Sequence, residues 1–340
     1  MITQKLQISS DEYAKTVERA AEILKKGGIV AIPTETVYGL AASALDSKAI
    51  NNVFKAKGRP QDNPLIVHIS NTEMLKQLVT DIPKQAQALA QKFWPGPLTL
   101  VLNSSKKVAK EVSAGLDTLA VRMPNHKTAL DIIEKSGLPL AAPSANTSGK
   151  PSPTSPFYVE NDLDGKIDAI VYDGECCVGV ESTVVSFCTN PPRLLRPGAV
   201  TAEQLREIIP DIIVDKAVLQ EPKSDERVES PGMKYKHYAP KTESYLVEGD
   251  SSFFAEFVNK QENAAALIFE EEKDLITIPK LVYGRSEDES TLAREVFSCL
   301  RKVDDLEAEK VYIHAPSKNG VGLAVYNRLI RASAFRVIKL

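Results

Sequence analysis

The stretch GGIVAIPTETVYGL, residues 27–40, decides the fold class. Its two glycines end a helical pattern of apolar residues that begins near residue 10. The apolar run 29–32 then predicts a buried strand, which Pro33 stops. Polar side chains follow at once, at a strand end, where α/β proteins tend to bind ligands. A plain turn with satisfied hydroxyl groups would have the same sequence, so both interpretations stay open at this stage.

The alternation of strand and helix continues on the C-terminal side of this stretch up to about residue 200. Strands interleaved with helices predict an α/β domain, and their irregular spacing does not predict a regular doubly wound sheet. The predicted strands are 65–69, 98–102, 119–123, 138–142, 169–172 and 183–187, and the predicted helices between them are 47–57, 84–93 and 126–135.

The character of the chain changes after residue 200. A capping-box sequence at 201–204 predicts the start of a short helix. Residues 216–243 hold three prolines and many charges without apolar periodicity, which is typical of a linker. From residue 244 a β-α-β pattern resumes. The sequence therefore predicts a catalytic domain over 10–200, a linker or lid over 201–243, and a smaller, Rossmann-like α/β domain over 244–340.

Composition excludes several classes of protein. The 340 residues carry a net charge of −3, whereas nucleic-acid-binding proteins that rely on a broad basic surface are strongly positive. The four cysteines form no CxxC pair and the four histidines are scattered, so no protein-held metal site is expected. The N-terminus lacks an apolar signal segment, and no apolar run reaches the roughly 20 residues of a membrane span. We expect a cytoplasmic protein without a membrane partner.

Two cations stand at the end of the predicted helix 47–57. Gly58 and Pro60 force a turn there, which can aim Lys57 and Arg59 at one point. A triphosphate needs such a pair, with lysine as a mobile charge and arginine as a planar fork. The alternative is that these cations only favour the helix C-terminal dipole. The sequence contains neither GxxxxGK[ST] nor GxGxxG, so a nucleotide would bind by other means.

Arg122 lies inside an apolar strand pattern. A buried guanidinium is costly without an anionic partner. That partner could be an internal carboxylate or the carboxylate of a substrate, and the sequence favours neither. Small polar residues in 141–154 follow another predicted strand and suit close approach of a ligand, or a plain loop. The single tryptophan, in the turn 94–98, is assigned to packing.

Together and in this order, these stretches resemble the YrdC-type threonylcarbamoyl-AMP synthases. The resemblance covers residues 10–200 almost continuously, and the linker SPGMKYKHYAP with the second α/β domain resembles the long members of that family. It implies an open, twisted α/β domain with a deep basic concavity. The matching segments are PTETVYGL, KxRP-xx-NPL-x-VH, PGPLT, GLDTxAVRMP, APSAN-x-SG-x-PSPT, GVESTVV and LLRPG.

The resemblance also implies roles for individual residues. The catalytic set around the nucleotide phosphates would be Lys57, Arg59, Ser144 and Asn146. ATP would be bound by Arg59, Asn63, Thr118, Ser144, Ser152, Arg196 and Tyr235, with Tyr235 in a lid that closes over the nucleotide. Threonine would be bound by Thr36, His68, Arg122, Ala142 and Ser182, with Ala142 acting through its backbone.

The implied reaction joins threonine, bicarbonate and ATP, with Mg²⁺, into threonylcarbamoyl-adenylate and pyrophosphate. A separate transferase complex would use the product to make N6-threonylcarbamoyladenosine in tRNA, while stable tRNA binding by this chain stays open. Two other functions were weighed. An RNA-binding module is disfavoured because the chain is acidic and has no aromatic stacking stripe. A carbamoyltransferase-type domain is disfavoured because the cysteine-rich zinc modules that accompany it are missing. The sequence assigns no role to the C-terminal domain.

Overall fold

The computed structural model describes residues 2–221 and 238–340. In these ranges the chain forms two α/β domains, each built on one sheet. None of the helices in these ranges is both long enough and apolar enough to span a membrane.

The first domain is built on a mixed sheet of eleven strands in the order β1-β8-β2-β3-β7-β4-β6-β5-β9-β10-β11. Both parallel and antiparallel pairs occur, which explains why the spacing along the sequence is irregular. The strands are β1 (Gln4–Gln7), β2 (Val30–Ile32), β3 (Gly39–Ser43), β4 (Ile66–His68), β5 (Leu98–Asn103), β6 (Thr118–Arg122), β7 (Leu140–Ala141), β8 (Ala169–Tyr172), β9 (Thr183–Ser186), β10 (Arg193–Arg196) and β11 (Ile213–Val214). The helices are α1 (Tyr13–Lys25), α2 (Ser47–Lys57), α3 (Thr72–Leu78), α4 (Lys84–Phe93), α5 (Lys127–Ser136), α6 (Pro156–Leu163) and α7 (Ala202–Arg206).

Helix α2 shows how local sequence sets the bounds of an element that carries functional residues. The carboxylate of Asp46 accepts hydrogen bonds from the backbone N–H groups of Lys48 and Ala49 and caps the N-terminus. Gly58 ends the helix in the left-handed conformation, at φ 62°. The predicted helix 47–57 is confirmed with the same bounds, and Lys57 is its last residue.

The register of the central strands brings site residues from distant parts of the chain to one level. His68 at the end of β4 is opposite Arg122 at the end of the parallel strand β6. On the other side, Thr99 of β5 pairs with Arg122. Because β9 runs parallel to β5 from Thr183 onward, Ser182 also reaches this level. The sheet therefore brings these side chains to a similar level on four neighbouring strands, in the order β4-β6-β5-β9.

The first domain extends beyond the predicted range of 10–200 at both ends. β1 pairs with β8, and β11 pairs with β10. The apolar side chains of Leu205, Ile209 and Ile212 pack in the main core of this domain. The prediction that the linker starts at residue 201 is therefore corrected: the segment 201–214 belongs to the first sheet and its core. β11 has only two residues, too short for strand periodicity to show in the sequence.

The second domain has a five-stranded sheet, in the order β14-β13-β15-β12-β16, in which every pair is parallel. The predicted β-α-β pattern after residue 244 is confirmed. Its strands are β12 (Glu243–Glu248), β13 (Ala264–Ile268), β14 (Lys280–Val282), β15 (Lys310–His314) and β16 (Val337–Lys339), and its α-helices are α8 (Ser251–Val258), α9 (Glu289–Lys302) and α10 (Gly322–Ala332).

The two domains share a hydrophobic core. Val37, Val180 and Tyr238 pack in the same buried cluster as the apolar side chains of α9 and α10. Helix α9 approaches Gly179 so closely that a Cβ atom at this position would lie 2.3 Å from the carbonyl oxygen of Ala293. Only glycine fits there, and its φ of +84° also favours glycine. The second domain therefore packs directly against the segment that precedes β9.

Candidate active site

A concavity opens in the first domain at the level of His68 and Arg122. Residues from six segments of the sequence line it, within 34–39, 57–68, 142–152 and 181–182 and at positions 122 and 196. Tyr238, the first described residue after position 221, also lines it. Eleven of the predicted site residues are among its lining: Thr36, Lys57, Arg59, His68, Arg122, Ala142, Ser144, Asn146, Ser152, Ser182 and Arg196.

Three predicted site residues are not among the lining. Thr118 begins β6, four residues before Arg122, which corresponds to about 13 Å along an extended strand. Asn63 is buried behind the concavity, where its backbone oxygen accepts a hydrogen bond from Arg59 at 3.4 Å. Tyr235 and the predicted lid around it lie outside the described residues.

Lys57 is held by the loop that follows β7. Its Nζ donates to the backbone oxygens of Ser144 at 2.5 Å and of Asn146 at 2.6 Å. The Ser144 hydroxyl donates to Asn146 Oδ1 at 2.5 Å, and Asn146 Nδ2 donates to the backbone oxygen of Lys150 at 2.9 Å. Lysine, serine and asparagine thus form one connected network, in which each side chain fixes the next.

The charge of Lys57 depends on what the concavity contains. Burial, with the positive charge of Arg59 as a second cause, lowers the pKa of Lys57 well below its usual range. Within the described residues its hydrogen-bond partners are oxygen atoms of neutral groups. An anion bound in the concavity would stabilise the ammonium form by charge attraction. Lys57 is thus suited to an anionic ligand.

Arg122 has an internal anionic partner, the first of the two alternatives that the sequence left open. Its NH2 lies 2.6 Å from Oε2 of Glu35, and both side chains are buried. Its NH1 donates to the hydroxyl of Thr36 at 2.8 Å, and its Nε donates to the backbone oxygen of Gly96 at 3.3 Å. Burial opposes ionisation of Glu35, but Arg122 and the backbone N–H of Asn125 outweigh it and lower the pKa of this carboxyl. The ion pair orients the guanidinium at the edge of the concavity.

His68 is neutral in this position. Burial, reinforced by the positive charge of Arg122, lowers its pKa to about 3. Its Nδ1 lies 3.3 Å from the backbone oxygen of Ile66. A neutral imidazole therefore stands beside the Arg122–Glu35 pair at physiological pH.

Ser182 and Arg196 form another part of the lining. Arg196 donates from Nε to the backbone oxygen of Ser182 at 3.0 Å and from NH2 to its hydroxyl at 3.1 Å. The Ser182 hydroxyl also lies 2.7 Å from that of Thr99. Both Ser182 and Arg196 are buried, so the wall is ordered before any ligand binds.

Sequence reasoning missed four residues of this site: Glu35, Lys150, Glu181 and Tyr238. Glu35 and Glu181 could have been noticed as acidic residues inside otherwise apolar or hydroxyl-bearing stretches, because a carboxylate there needs a buried partner. Lys150 and Tyr238 show no such signal. Of the ionisable groups described in the lining, Lys57, Arg59, Arg122, Lys150 and Arg196 are basic and Glu181 is the carboxylate, which favours anionic ligands.

The comparisons with known proteins decide the family. A family model named Sua5_yciO_yrdC, described as "Telomere recombination", matches residues 22–198. A second, described as "Threonylcarbamoyl-AMP synthase, C-terminal domain", matches residues 200–334. The chain belongs to the Sua5 family of threonylcarbamoyl-AMP synthases.

Full-length relatives agree with this membership. The threonylcarbamoyl-AMP synthase of Pyrococcus abyssi is 46% identical, with 94% of this chain and 95% of that protein covered. The enzyme of the same name from Bacillus subtilis is 41% identical, with 99% and 97% covered. The crystal structure of P. abyssi Sua5 complexed with L-threonine superposes with a TM-score of 0.90 at 42% identity, over 100% of both chains.

The activity follows from the family. The chain is an enzyme of the nucleotidyltransferase class that synthesises threonylcarbamoyl-AMP. The match extends through both domains, which neither an RNA-binding module nor an isolated carbamoyltransferase-type domain would explain. The resemblance stated from the sequence and the predicted α/β fold class are both confirmed.

Proposed function

We propose that this single concavity binds threonine and ATP side by side and joins them through a carbamate. The observation that carries the proposal is that residues of the predicted threonine set and of the predicted phosphate set line the same cavity. Two substrates held in one cavity can react without a covalent enzyme intermediate, because positioning replaces a bimolecular encounter.

The threonine end consists of Thr36, His68, Arg122, Ala142 and Ser182. Arg122 would pair with the carboxylate of threonine, since a guanidinium held by Glu35 and Thr36 presents its fork in one orientation. Neutral His68 adds no further positive charge that would oppose the ammonium group of the incoming amino acid. The co-crystallisation of P. abyssi Sua5 with L-threonine supports this assignment.

The phosphate end consists of Lys57, Arg59, Ser144 and Asn146, with Ser152 and Arg196 on the adjoining wall. Lys57 ends α2 and Arg59 follows the C-cap Gly58, and both would neutralise the triphosphate. The backbone oxygens of Ser144 and Asn146 accept hydrogen bonds from Lys57 and hold it in place, and the side chains of Ser144 and Asn146 are bonded to each other. Asn63 would act at this end through its contact with Arg59. Thr118 is proposed as an ATP contact on the family resemblance alone.

The reaction then needs no nucleophile from the protein. The neutral amine of threonine adds to carbon dioxide supplied by bicarbonate, and the nitrogen loses a proton to give a carbamate. A carbamate oxygen attacks the α-phosphorus of ATP and forms a new P–O bond as the bond to the bridging oxygen breaks. Pyrophosphate leaves with that electron pair. Lys57, Arg59 and Arg196 would stabilise the charge that develops on the phosphates.

Mg²⁺ would accompany ATP as part of the substrate. The described residues contain no group of three His, Cys, Asp or Glu side chains arranged to hold a metal ion. In the described lining, the carboxylate Glu181 is already engaged by Ser152 and Arg328. The donor set therefore does not fit a protein-held magnesium site, whereas phosphate oxygens and water are the ligands that Mg²⁺ prefers.

The product is a mixed anhydride, and water can hydrolyse it. We therefore place this enzyme in the cytoplasm beside a transferase complex that passes the threonylcarbamoyl group to adenosine of tRNA. The support for this partner is chemical: an activated acyl group is useful only if an acceptor is close enough to compete with water.

The direct test is product mass spectrometry after mixing the full chain with ATP, threonine and bicarbonate. We expect threonylcarbamoyl-AMP and pyrophosphate in equal amounts, and both should depend on threonine and on bicarbonate. Pyrophosphate release at the full rate without threonine would contradict the mechanism. A matched control with serine in place of threonine reports how closely the threonine end fits its side chain.

A further inference from the structure

Glu181 is a carboxylate in the wall of a cavity whose other charged side chains, among the described residues, are cations. Its Oε1 accepts a hydrogen bond from the hydroxyl of Ser152 at 2.6 Å, and the side chain is buried. It directly precedes Ser182, which contacts Arg196. A negative charge at this place would repel the phosphates of ATP and attract Arg196 away from them, unless another group neutralises it.

That group comes from the second domain. Arg328 on α10 is completely buried and donates from Nε to Oε2 of Glu181 at 2.8 Å. Its NH2 donates to the backbone oxygen of Glu181 at 3.2 Å, and its NH1 donates to the backbone oxygen of Pro197 at 2.9 Å. One guanidinium therefore joins the residue before Ser182 to the residue after Arg196.

The Glu181 carboxylate is ionised at neutral pH. Burial opposes its ionisation, but the charges of Arg328 and Arg196 outweigh burial and hold its pKa at about 2. Two arginines thus act on one carboxylate from opposite sides. Arg328 makes the direct hydrogen bond, while Arg196 donates to Ser182.

We propose that Arg328 is a positioning residue of the nucleotide site, supplied by the C-terminal domain. It neutralises Glu181 and ties the segments at 181–182 and 196–197 together, so that Ser152 and Arg196 face ATP. This inference rests on the proposed assignment of Ser152 and Arg196 to ATP. The inference gives the second domain a role in synthesis. The first domain supplies the wall with its Glu181 carboxylate, and the second domain supplies the arginine that neutralises this charge.

The packing between the domains fits this role. Helix α9 contacts Gly179 through backbone atoms, two residues before Glu181. Val180 lies in the core cluster of the second domain. Glu181 is therefore held from both sides, and a lysine at position 328 could not reproduce both the Glu181 and the Pro197 contacts of the planar fork.

The test compares three variants with the full-length wild type. Arg328→Lys keeps the charge and loses the fork; Arg328→Met removes the charge; Glu181→Gln with Arg328→Met removes both charges at similar volume. The matched control is Arg336→Lys in the second domain, where the guanidinium donates to the backbone oxygen of Ser244 and does not line the concavity.

We expect Arg328→Lys to fold, to bind threonine within about twofold of wild type and to bind ATP roughly tenfold more weakly in calorimetric titrations. Arg328→Met should lose more ATP affinity, and Glu181→Gln in the same chain should restore most of that loss, because the unpaired carboxylate is then gone. Arg336→Lys should leave both affinities unchanged.

Two results would overturn the inference. One is a folded Arg328→Lys that binds ATP like wild type. The other is an equal loss of ATP and threonine affinity without rescue by Glu181→Gln, because that pattern indicates a purely structural contact. If Arg328→Met does not fold, Arg328→Lys and the double variant still decide the question. A wild type that binds no ATP would instead contradict the proposed function itself.

Discussion

The two ends of the concavity hold their cations in different ways. Lys57 is held by oxygen atoms of neutral groups in the described part of the chain, whereas Arg122 is paired with the carboxylate of Glu35. The first arrangement leaves the attraction of the cation for a ligand largely undiminished. In the second arrangement, the Glu35 carboxylate offsets much of the charge of Arg122 and fixes the orientation of its guanidinium. This difference suits a triphosphate with several negative charges at one end and an amino acid with a single carboxylate at the other.

The largest effect is expected at the phosphate end. Lys57→Ala should lower the rate of synthesis about a hundredfold or more, because it removes both the charge and the donor that links Ser144 to Asn146. Calorimetry should show lost ATP affinity with threonine affinity retained. Lys55→Ala is the control, since Lys55 lies exposed on the same helix. If Lys57→Ala binds ATP normally, Lys57 does not bind the phosphates, and the proposed phosphate end is wrong.

At the threonine end, Arg122→Ala should weaken threonine binding roughly tenfold to a hundredfold, the cost of one charge-assisted contact. ATP affinity should change much less. The variant also leaves Glu35 buried without its partner, so thermal unfolding must be measured beside binding. If a folded Arg122→Ala binds threonine normally, the arginine serves only the internal ion pair.

Glu35→Gln sharpens the comparison, because it removes the counter-charge and retains an oxygen that can accept from the backbone N–H of Asn125. We expect threonine affinity to fall about fivefold, since Arg122 loses its orienting partner. A rise in threonine affinity would show that neutralisation outweighs orientation at this end. Asp131→Asn, an exchange of the same kind at a carboxylate that pairs with Lys127 near the surface, is the control and should leave threonine affinity unchanged.

The least direct test of the comparison concerns His68 and pH, because it measures stability and not ligand affinity. The folded pKa of His68, about 3, lies below the usual 6.5, so the unfolded chain binds the proton more readily. The stabilisation by neutral His68 is fully present above pH 6.5 and is lost as the pH falls towards 3, by about 1.4 kcal/mol per pH unit. Denaturant unfolding between pH 7 and pH 5 should therefore show a flatter dependence for His68→Gln than for wild type. Parallel pH curves would mean that folding does not lower the pKa of His68.

The predicted elements that carried the strongest patterns were found with nearly the predicted bounds, as α2, α4, α5 and β8 show. β3 was missed, although all its residues are buried, because Gly39–Ser43 holds small residues without alternation. The segment 201–214 was assigned to the linker, and its apolar residues pack in the first core. In each case the missing information was a pairing partner distant in the sequence, which local periodicity cannot reveal.

The sequence by itself determined the family, the fold class and eleven residues of one cavity. Short motifs such as KxR and SxN can be recognised locally, without knowledge of the tertiary structure. Only the tertiary structure decided which charges meet. Glu35 pairs with Arg122 across 87 positions and Arg328 reaches Glu181 across 147, so neither pair leaves a local trace. The energy of a buried ion depends on its partner and on the exclusion of water, and both are properties of the assembled fold.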